Sequence, residues 1–428
     1  MTTVIRNGHL LDPAQRLDGL GWLHLRDGVI AGSGLGQPPA GIAADDTIDA
    51  TGLLVSPGFI DLHCHLREPG EESKESIESG CRAAVAGGFT SVCCMPNTTP
   101  PIDHAAIVKL IHLEAQRVNL ANVFPIGTVS RNREGKELAD IGELVKAGVV
   151  GVSDDGNPVT DAGLMRCVLE YTRMFGIPVI DHCEDPMLSN FGVMNEGVHS
   201  TRLGLRGIPT ACEDVMISRD LILAGYTGGR VHIAHVSTAL GVRMIRDAKA
   251  RGVRVTCEAT PHHLTLTDAA LGDYDTNFKM NPPLRSEADR VALIEGLADG
   301  TIDAIATDHA PHSATGKDVE FDQAANGIIG LETALPVVYT KLVQEHKLSL
   351  ARMVELLTSG PARVLGTQAK GTLEPGADAD IVLWDASSTW IIDATAFRSK
   401  SRNTPFNGWA VQGKAVRTIV AGETKHKA

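Results

Sequence analysis

Five times along the chain a helical pattern ends in glycine and gives way to a short run rich in β-branched residues, at positions 86–92, 146–152, 175–180, 251–256 and 299–305. A glycine after the last helical turn acts as a C-cap, and a short apolar run behind it reads as a buried strand of a parallel sheet. Further runs at 59–65, 121–128 and 230–235 bring the strands to eight. Eight strands alternating with helices predict an α/β fold, a (β/α)8 TIM barrel. A doubly wound open sheet would call for a Gly-x-Gly-x-x-Gly turn after a strand, and the sequence has none. Nor does it carry a repeat of solenoid length.

The two ends of the chain have a different texture. Residues 1–52 and 370–428 consist of short apolar runs broken by Gly, Asp and Pro, with Asp27-Gly28 as a hairpin signal. They are expected to form one small β-sandwich domain from both termini, with residues 53–369 inserted between them as the barrel.

A barrel of this kind does its chemistry at the C-terminal ends of its strands. Strand one ends in His63-Cys64-His65, strand four in Ser153-Asp154-Asp155-Gly156, strand five in Asp181-His182-Cys183-Glu184, strand six in His232 to His235, and strand eight in Thr307-Asp308 followed by His312. Side chains two apart on a strand share a face, so His63 and His65 should point one way and Ile60, Leu62 and Cys64 the other. Taken singly, each of these histidines and aspartates also fits an ordinary hydrogen-bonded residue. Together, four imidazoles and two carboxylates at one barrel mouth suit two borderline divalent cations, zinc foremost. Cys64 and Cys183 read as small packing residues, and His262, His263 and His309 as structural or supporting.

Composition narrows the function. With 43% hydrophobic residues the chain can bury a large core, and its net charge of -13 argues against non-specific nucleic-acid binding. An anionic substrate would therefore need local positive charge, which a metal provides. The opening residues lack a signal-peptide core, no run of 18 apolar residues occurs, and eight cysteines in so long a chain do not form a disulfide framework. A cytoplasmic protein is expected.

The text at these strand ends is specific. Residues 58–70 (GFIDLHCHLREPG), 95–98 (MPNT), 154–156 (DDG), 181–185 (DHCED), 232–237 (HIAHVS), 280–285 (MNPPLR) and 307–312 (TDHAPH) resemble the amidohydrolase superfamily, and within it the class I dihydroorotases. The resemblance covers the whole chain, including the split β domain. It implies reversible cyclisation of N-carbamoyl-L-aspartate to L-dihydroorotate in pyrimidine synthesis, by a zinc-activated hydroxide. By the same resemblance His63, His65 and Asp308 hold one Zn2+ and His182 and His235 a second, with Asp155 bridging them and Asp154 as the fallback. Asp308 is then the general acid and base, and Arg67, Asn97, Asn281 and His312 bind or flank the substrate's unreactive carboxylate.

It further implies a homodimer and, in some bacteria, association with aspartate transcarbamoylase; no nucleic acid or membrane partner is expected. Two alternatives stand beside this reading. Hydantoinases and allantoinases share the barrel but bridge their metals with a carboxylated lysine, and no lysine lies between Lys146 and Thr160. An inactive scaffold subunit of aspartate transcarbamoylase would have lost metal ligands, whereas every ligand position here is filled.

Overall fold

The computed structural model describes residues 2–42 and 44–428. Its central feature is a ring of parallel strands. Phe59–Cys64 pairs with Phe89–Cys94, and that strand with Asn122–Pro125. The ring continues through single parallel bridges from Gly127 to Val152 and from Val152 to Val179. Val179–Asp181, Val231–Ile233, Val255–Ala259 and Ala304–Ile305 then pair in turn. His309 bridges in parallel to Cys64 and closes the circle. All eight expected strands are present, in the expected order.

Strand four is shorter than the run at 146–152 suggests. Only Val150 to Ser153 carry its ladder, through Val150 N–Pro125 O (3.2 Å), Gly127 N–Gly151 O (3.0 Å), Ser153 N–Gly127 O (2.8 Å) and Ile180 N–Val152 O (2.8 Å). Immediately afterwards Asp154 turns aside to accept from the backbone N–H groups of Val129 and Ser130, which ends the pairing. The seam between strands eight and one is stapled by Asp61, whose carboxylate accepts from Thr307 N (2.8 Å) and Thr307 Oγ1 (2.5 Å). Burial raises the Asp61 carboxyl to about 7, although both bonds from Thr307 pull the other way.

The inside of the ring is filled by a cluster containing Leu62, Cys93, Met95, Ile126, Ile180, Ala234, Ala304 and Ala306. A larger apolar layer joins the strands to the surrounding helices and includes Phe59, Phe89, Val152, Val179 and Ile233. Strict alternation fails on strand one. Its register against strand two shifts between Asp61 and Cys64, so Leu62 joins the inner cluster while Cys64 packs in the outer one. A bulge of this kind re-aims side chains at a strand end. The glycines read as helix caps behave as such where the turn demands it: Gly148 and Gly252 have φ of 112° and 81°.

Both termini meet in a second sheet. In spatial order it runs Glu423–Lys427, Ala410–Val420, Ile381–Ile391, Leu54–Pro57, Thr2–Asp12, Leu17–Arg26 and Val29–Leu35, with Asp46–Asp49 paired to Thr2–Asp12. Leu54–Pro57, which leads directly into the barrel, is the strand that links the two terminal halves. Asp27 (φ 54°) and Gly28 (φ 82°) make the tight turn between two of these strands, the left-handed pair that a two-residue hairpin needs. Among the described residues no helix is long and apolar enough to cross a membrane.

Candidate metal centre

At the C-terminal end of the ring, His65, Arg67, Asn97, Asp155, Gly156, His182, His235, Met280, Asn281 and Asp308 line a cavity of about 170 Å³. Several of them end strands in a conformation that costs energy for ordinary side chains: φ is 60° at Arg67, 32° at His235 and 45° at Asp308. The fold holds each side chain there, bent off its strand towards the cavity.

Asp155 lies at the centre. Its Oδ1 is 3.4 Å from His63 Nε2, 3.8 Å from His182 Nδ1 and 3.8 Å from His235 Nε2, and its Oδ2 is 3.7 Å from His65 Nε2. One carboxylate therefore faces all four imidazoles. Asp308 Oδ1 approaches from the other side, 3.1 Å from His65 Nε2 and 3.5 Å from His63 Nε2. Asp154 faces away, tied by Val129, Ser130 and the Ser130 hydroxyl.

The fit to a metal can be tested on His63. Its Nε2 is fully buried without a hydrogen-bond partner, although carboxylate oxygens of Asp155 and Asp308 lie close by. Buried polar atoms are normally satisfied, so a ring nitrogen and two carboxylates converging on one point are the donor set of a cation site. Two groups of donor atoms within 4.8 Å of one another meet that description: His63, His65 and Asp308, and His63, Asp155 and His235. His182 joins the second through its Nδ1, 2.9 Å from His235 Nε2. Burial works to raise the pKa of Asp155 and Asp308, but the surrounding imidazoles outweigh it and hold both carboxyls below their ordinary range. Bound cations would exert the same pull.

The outward ring nitrogens are held as well. His63 Nδ1 is 3.1 Å from Glu258 Oε1, and Glu258 Oε2 is 3.1 Å from His232 Nε2. His65 Nδ1 meets Asn97 Oδ1 at 2.8 Å. His182 Nε2 meets Glu184 Oε2 at 2.9 Å, and Asn281 donates to the same oxygen at 2.7 Å. Such partners fix the tautomer and orientation of a ligating imidazole. Sequence pattern alone does not single out Glu184 or Glu258: Glu184 lies within the strand-five motif 181–185, and Glu258 lies on strand seven, which continues to Ala259, beyond the β-branched run at 251–256.

Arg67 lines the cavity, its Nε donating to Pro311 O (3.2 Å) and its Nη2 lying 3.3 Å from His312 Nε2. His312 does not line the same cavity. It packs behind Arg67, with Nε2 2.8 Å from Asn326 O, and faces a larger outer cleft of about 690 Å³. Burial, with Arg67 alongside, lowers the His312 pKa to about 3 and keeps its ring neutral.

His263 and His309 are structural. The first spans Thr260 and Pro282; the second lies 3.2 Å from Glu75 and accepts from Gly330 N. His262 packs against His263 with a buried, unpartnered Nε2. Cys183 sits beside the Asp181 and Asp220 carboxylates, at 3.4 and 3.5 Å, instead of against apolar neighbours alone. Arg219 pairs with both carboxylates and supplies the cation there.

Comparison with known proteins identifies the family. Residues 54–425 match the model of the amidohydrolase family. A dihydroorotase from Geobacter sp. (strain M21) is 52% identical over 428 residues, covering 100% of both chains. One from Anaeromyxobacter sp. (strain K) is 53% identical over 427 residues, 99% of this chain and 97% of its own. Among solved structures, the L-hydantoinase (dihydropyrimidinase) from Arthrobacter aurescens superposes with a TM-score of 0.89 at 28% identity, over 99% of this chain and 95% of its own. With a parallel ring closed by His309, imidazoles and carboxylates gathered at its mouth, and full-length relatives above 50% identity, this chain belongs to the amidohydrolase family and, within it, to the dihydroorotases.

Proposed function

We propose that the protein interconverts N-carbamoyl-L-aspartate and L-dihydroorotate, with His63, His65, His182, His235, Asp155 and Asp308 holding two zinc ions. The observation that carries this reading is Asp155, whose two oxygens face all four imidazoles from one buried position. In this reading Asp155 would hold both ions with a permanent carboxylate, where a hydantoinase-like site needs a carboxylated lysine.

When bound, the metals supply Lewis acidity towards the ring carbonyl and lower the pKa of a coordinated water towards ~7. The rest is done by the chain. Asp308, held ionised, accepts a proton at its carboxylate as water adds to the carbonyl carbon. It then returns that proton to the ring nitrogen as the carbon–nitrogen bond breaks. Cyclisation runs the same steps backwards. Arg67 grips the carboxylate that does not react, and a guanidinium is suited to that because its fork of N–H groups matches two oxygens. Asn97 divides its amide, with Oδ1 orienting His65 and Nδ2 towards Asp155 and the cavity. Asn281 stands beside His182, and His312 backs Arg67.

The subunit is proposed to pair with a second copy of itself. Val215, Ile222 and Tyr226 lie along one face of the helix Ala211–Thr227 and are 49%, 68% and 71% exposed, which offers an apolar stripe for a second copy to cover. A mass by light scattering equal to one chain would reject the dimer.

The reaction is tested by assaying dihydroorotate, hydantoin and allantoin side by side with zinc-loaded protein. Turnover of dihydroorotate alone is expected, and preference for another ring would overturn the substrate assignment. Because carbamoyl aspartate carries one more negative charge than dihydroorotate, cyclisation consumes a proton. Equilibrium mixtures formed by the protein should shift towards the ring about tenfold per unit fall in pH, as one proton requires.

A further inference from the structure

In the loop after strand three, two consecutive non-glycine residues, Asn132 and Arg133, take left-handed backbone conformations, with φ of 53° and 58°. Each costs on the order of 1 kcal/mol or more and persists only where the surroundings dictate it. Here they do. Asn132 N donates to Asp103 Oδ2 (3.0 Å), Asn157 Nδ2 donates to Arg133 O (3.1 Å), and Ser130 is bonded through backbone and hydroxyl to Asp154. The loop after strand three and the chain leaving strand four thus clasp each other beside the metal centre.

What the clasp presents is the Arg133 guanidinium. Its Nη2 donates to the backbone carbonyl of Asp155, while its Nε is buried without a partner. Among the described residues no carboxylate makes an ion pair with it, although Asp155 and Asp154 are near enough to attract its charge against the cost of its desolvation. Desolvating part of a guanidinium and leaving its Nε without a partner costs stability. In return, both backbone polar groups of Asp155 are held by side chains, since Asp155 N donates to Ser153 Oγ (3.0 Å). With the peptide groups on each side immobilised, only the side-chain torsions of Asp155 remain free. Gly156 follows with φ of 78°, a conformation that suits glycine, and its α-carbon faces Arg133 Nη2 and Asn97 Nδ2, which a Cβ would meet at 3.4 and 3.9 Å, in ordinary van der Waals contact.

We propose that Arg133 is a positioning residue for Asp155: by anchoring the Asp155 carbonyl it sets the turn that aims the adjoining carboxylate at the four imidazoles. The inference rests on reading Asp155 as the metal bridge, and its test separates the two claims. Zn2+ affinity of the full-length protein is measured by competition with a chromogenic chelator for wild type, Arg133→Met, Arg133→Gln and Asp155→Asn, alongside kcat, KM and the metal-free melting temperature. Arg133→Met is expected to lose ~10–100-fold in zinc affinity, the usual effect of removing a group that orients a ligand. Its kcat should fall with KM for dihydroorotate little changed, because Arg133 acts through Asp155 and does not touch the substrate. Arg133→Gln keeps an N–H donor, but on an arm two atoms too short to reach the Asp155 carbonyl, and should lose zinc affinity in the same direction. It also decides the matter should Arg133→Met fail to fold, since wild-type zinc affinity in Arg133→Gln would likewise overturn the proposal. Wild-type zinc affinity in Arg133→Met, or a change confined to KM or to melting temperature, overturns it too. Should Asp155→Asn keep its zinc, the bridge assignment itself is wrong; should Asp155→Asn lose zinc while Arg133→Met does not, only the role of Arg133 falls.

Discussion

The terminal sheet and the barrel mouth both bury an aspartate, and they treat it in opposite ways. Asp12, at the end of the first strand, is fully buried, and neutral donors satisfy it on both oxygens: Ala14 N at 2.9 Å, Gln15 Nε2 at 2.7 Å, Thr372 Oγ1 at 2.8 Å and Leu373 N at 2.6 Å. These bonds tie the N-terminal strand to the C-terminal segment, and nothing further is asked of them. Asp155 is also buried, yet its carboxylate accepts only a long contact from Asn97 at 3.5 Å, and the four imidazoles stand 3.4 to 3.8 Å away. Those separations are too long for good hydrogen bonds. A buried carboxylate whose donors are all in place reports on stability. One ringed by groups that stop short of it reports on something that comes between them.

The contrast can be broken or sharpened by mutation. The largest effect is expected at Asp308, which shares the mouth with Asp155: Asp308→Asn should lower kcat by ~100-fold or more, the scale of losing a general base. Near-normal turnover in that variant would remove proton transfer from Asp308. Next comes Asp155→Ala, where two cations would face each other without an intervening anion. Metal binding should weaken by more than the ~10–100-fold typical of an outer partner. Because the carboxylate is permanent, apoprotein given zinc in CO2-free buffer should recover full activity, with no gain from bicarbonate; recovery that needs bicarbonate would place the bridge elsewhere.

Arg67→Met tests the same mouth away from the metals. Loss of a charge-assisted carboxylate contact, worth ~1.5–3 kcal/mol, should raise KM by ~10-fold or more while zinc content stays at the wild-type level. A variant with unchanged KM and kcat would take Arg67 out of the site. The smallest functional effect belongs to the other side of the comparison. Asp12→Ala strands several buried donors at about 1–3 kcal/mol each, so chemical denaturation should show a clear loss of stability, with zinc affinity and kcat as in wild type. If Asp12→Ala changed zinc affinity, the distinction between satisfied and unsatisfied carboxylates would fail.

Much of this was legible before any coordinates. The glycine-ended helices and β-branched runs announce a ring of parallel strands because a Cβ-free residue and a short buried strand leave a local signature. Reading only the strand ends assembles His63, His65, His182, His235 and Asp308, since a barrel presents the same end of every strand to one mouth. Local pattern does less well where two candidates are neighbours. Asp154 and Asp155 are identical in sequence terms, and their separation into a loop tie and a cavity-facing carboxylate depends on Val129 and Ser130, contributed by the loop after strand three.

The same limit explains the remaining differences. The bulge between Asp61 and Cys64 depends on how strand one registers against strand two, which no alternation along a single strand encodes. Glu258 reaches His63 across 195 residues, and His312 is set behind Arg67 by the fold of the loop after strand eight. By itself, then, the sequence determined the barrel, the family and the set of side chains delivered to its mouth, because these follow from periodicity and from residue types at strand ends. Only the tertiary structure decided which carboxylate faces the imidazoles and which groups hold them in place, because those contacts are made between segments far apart in the chain.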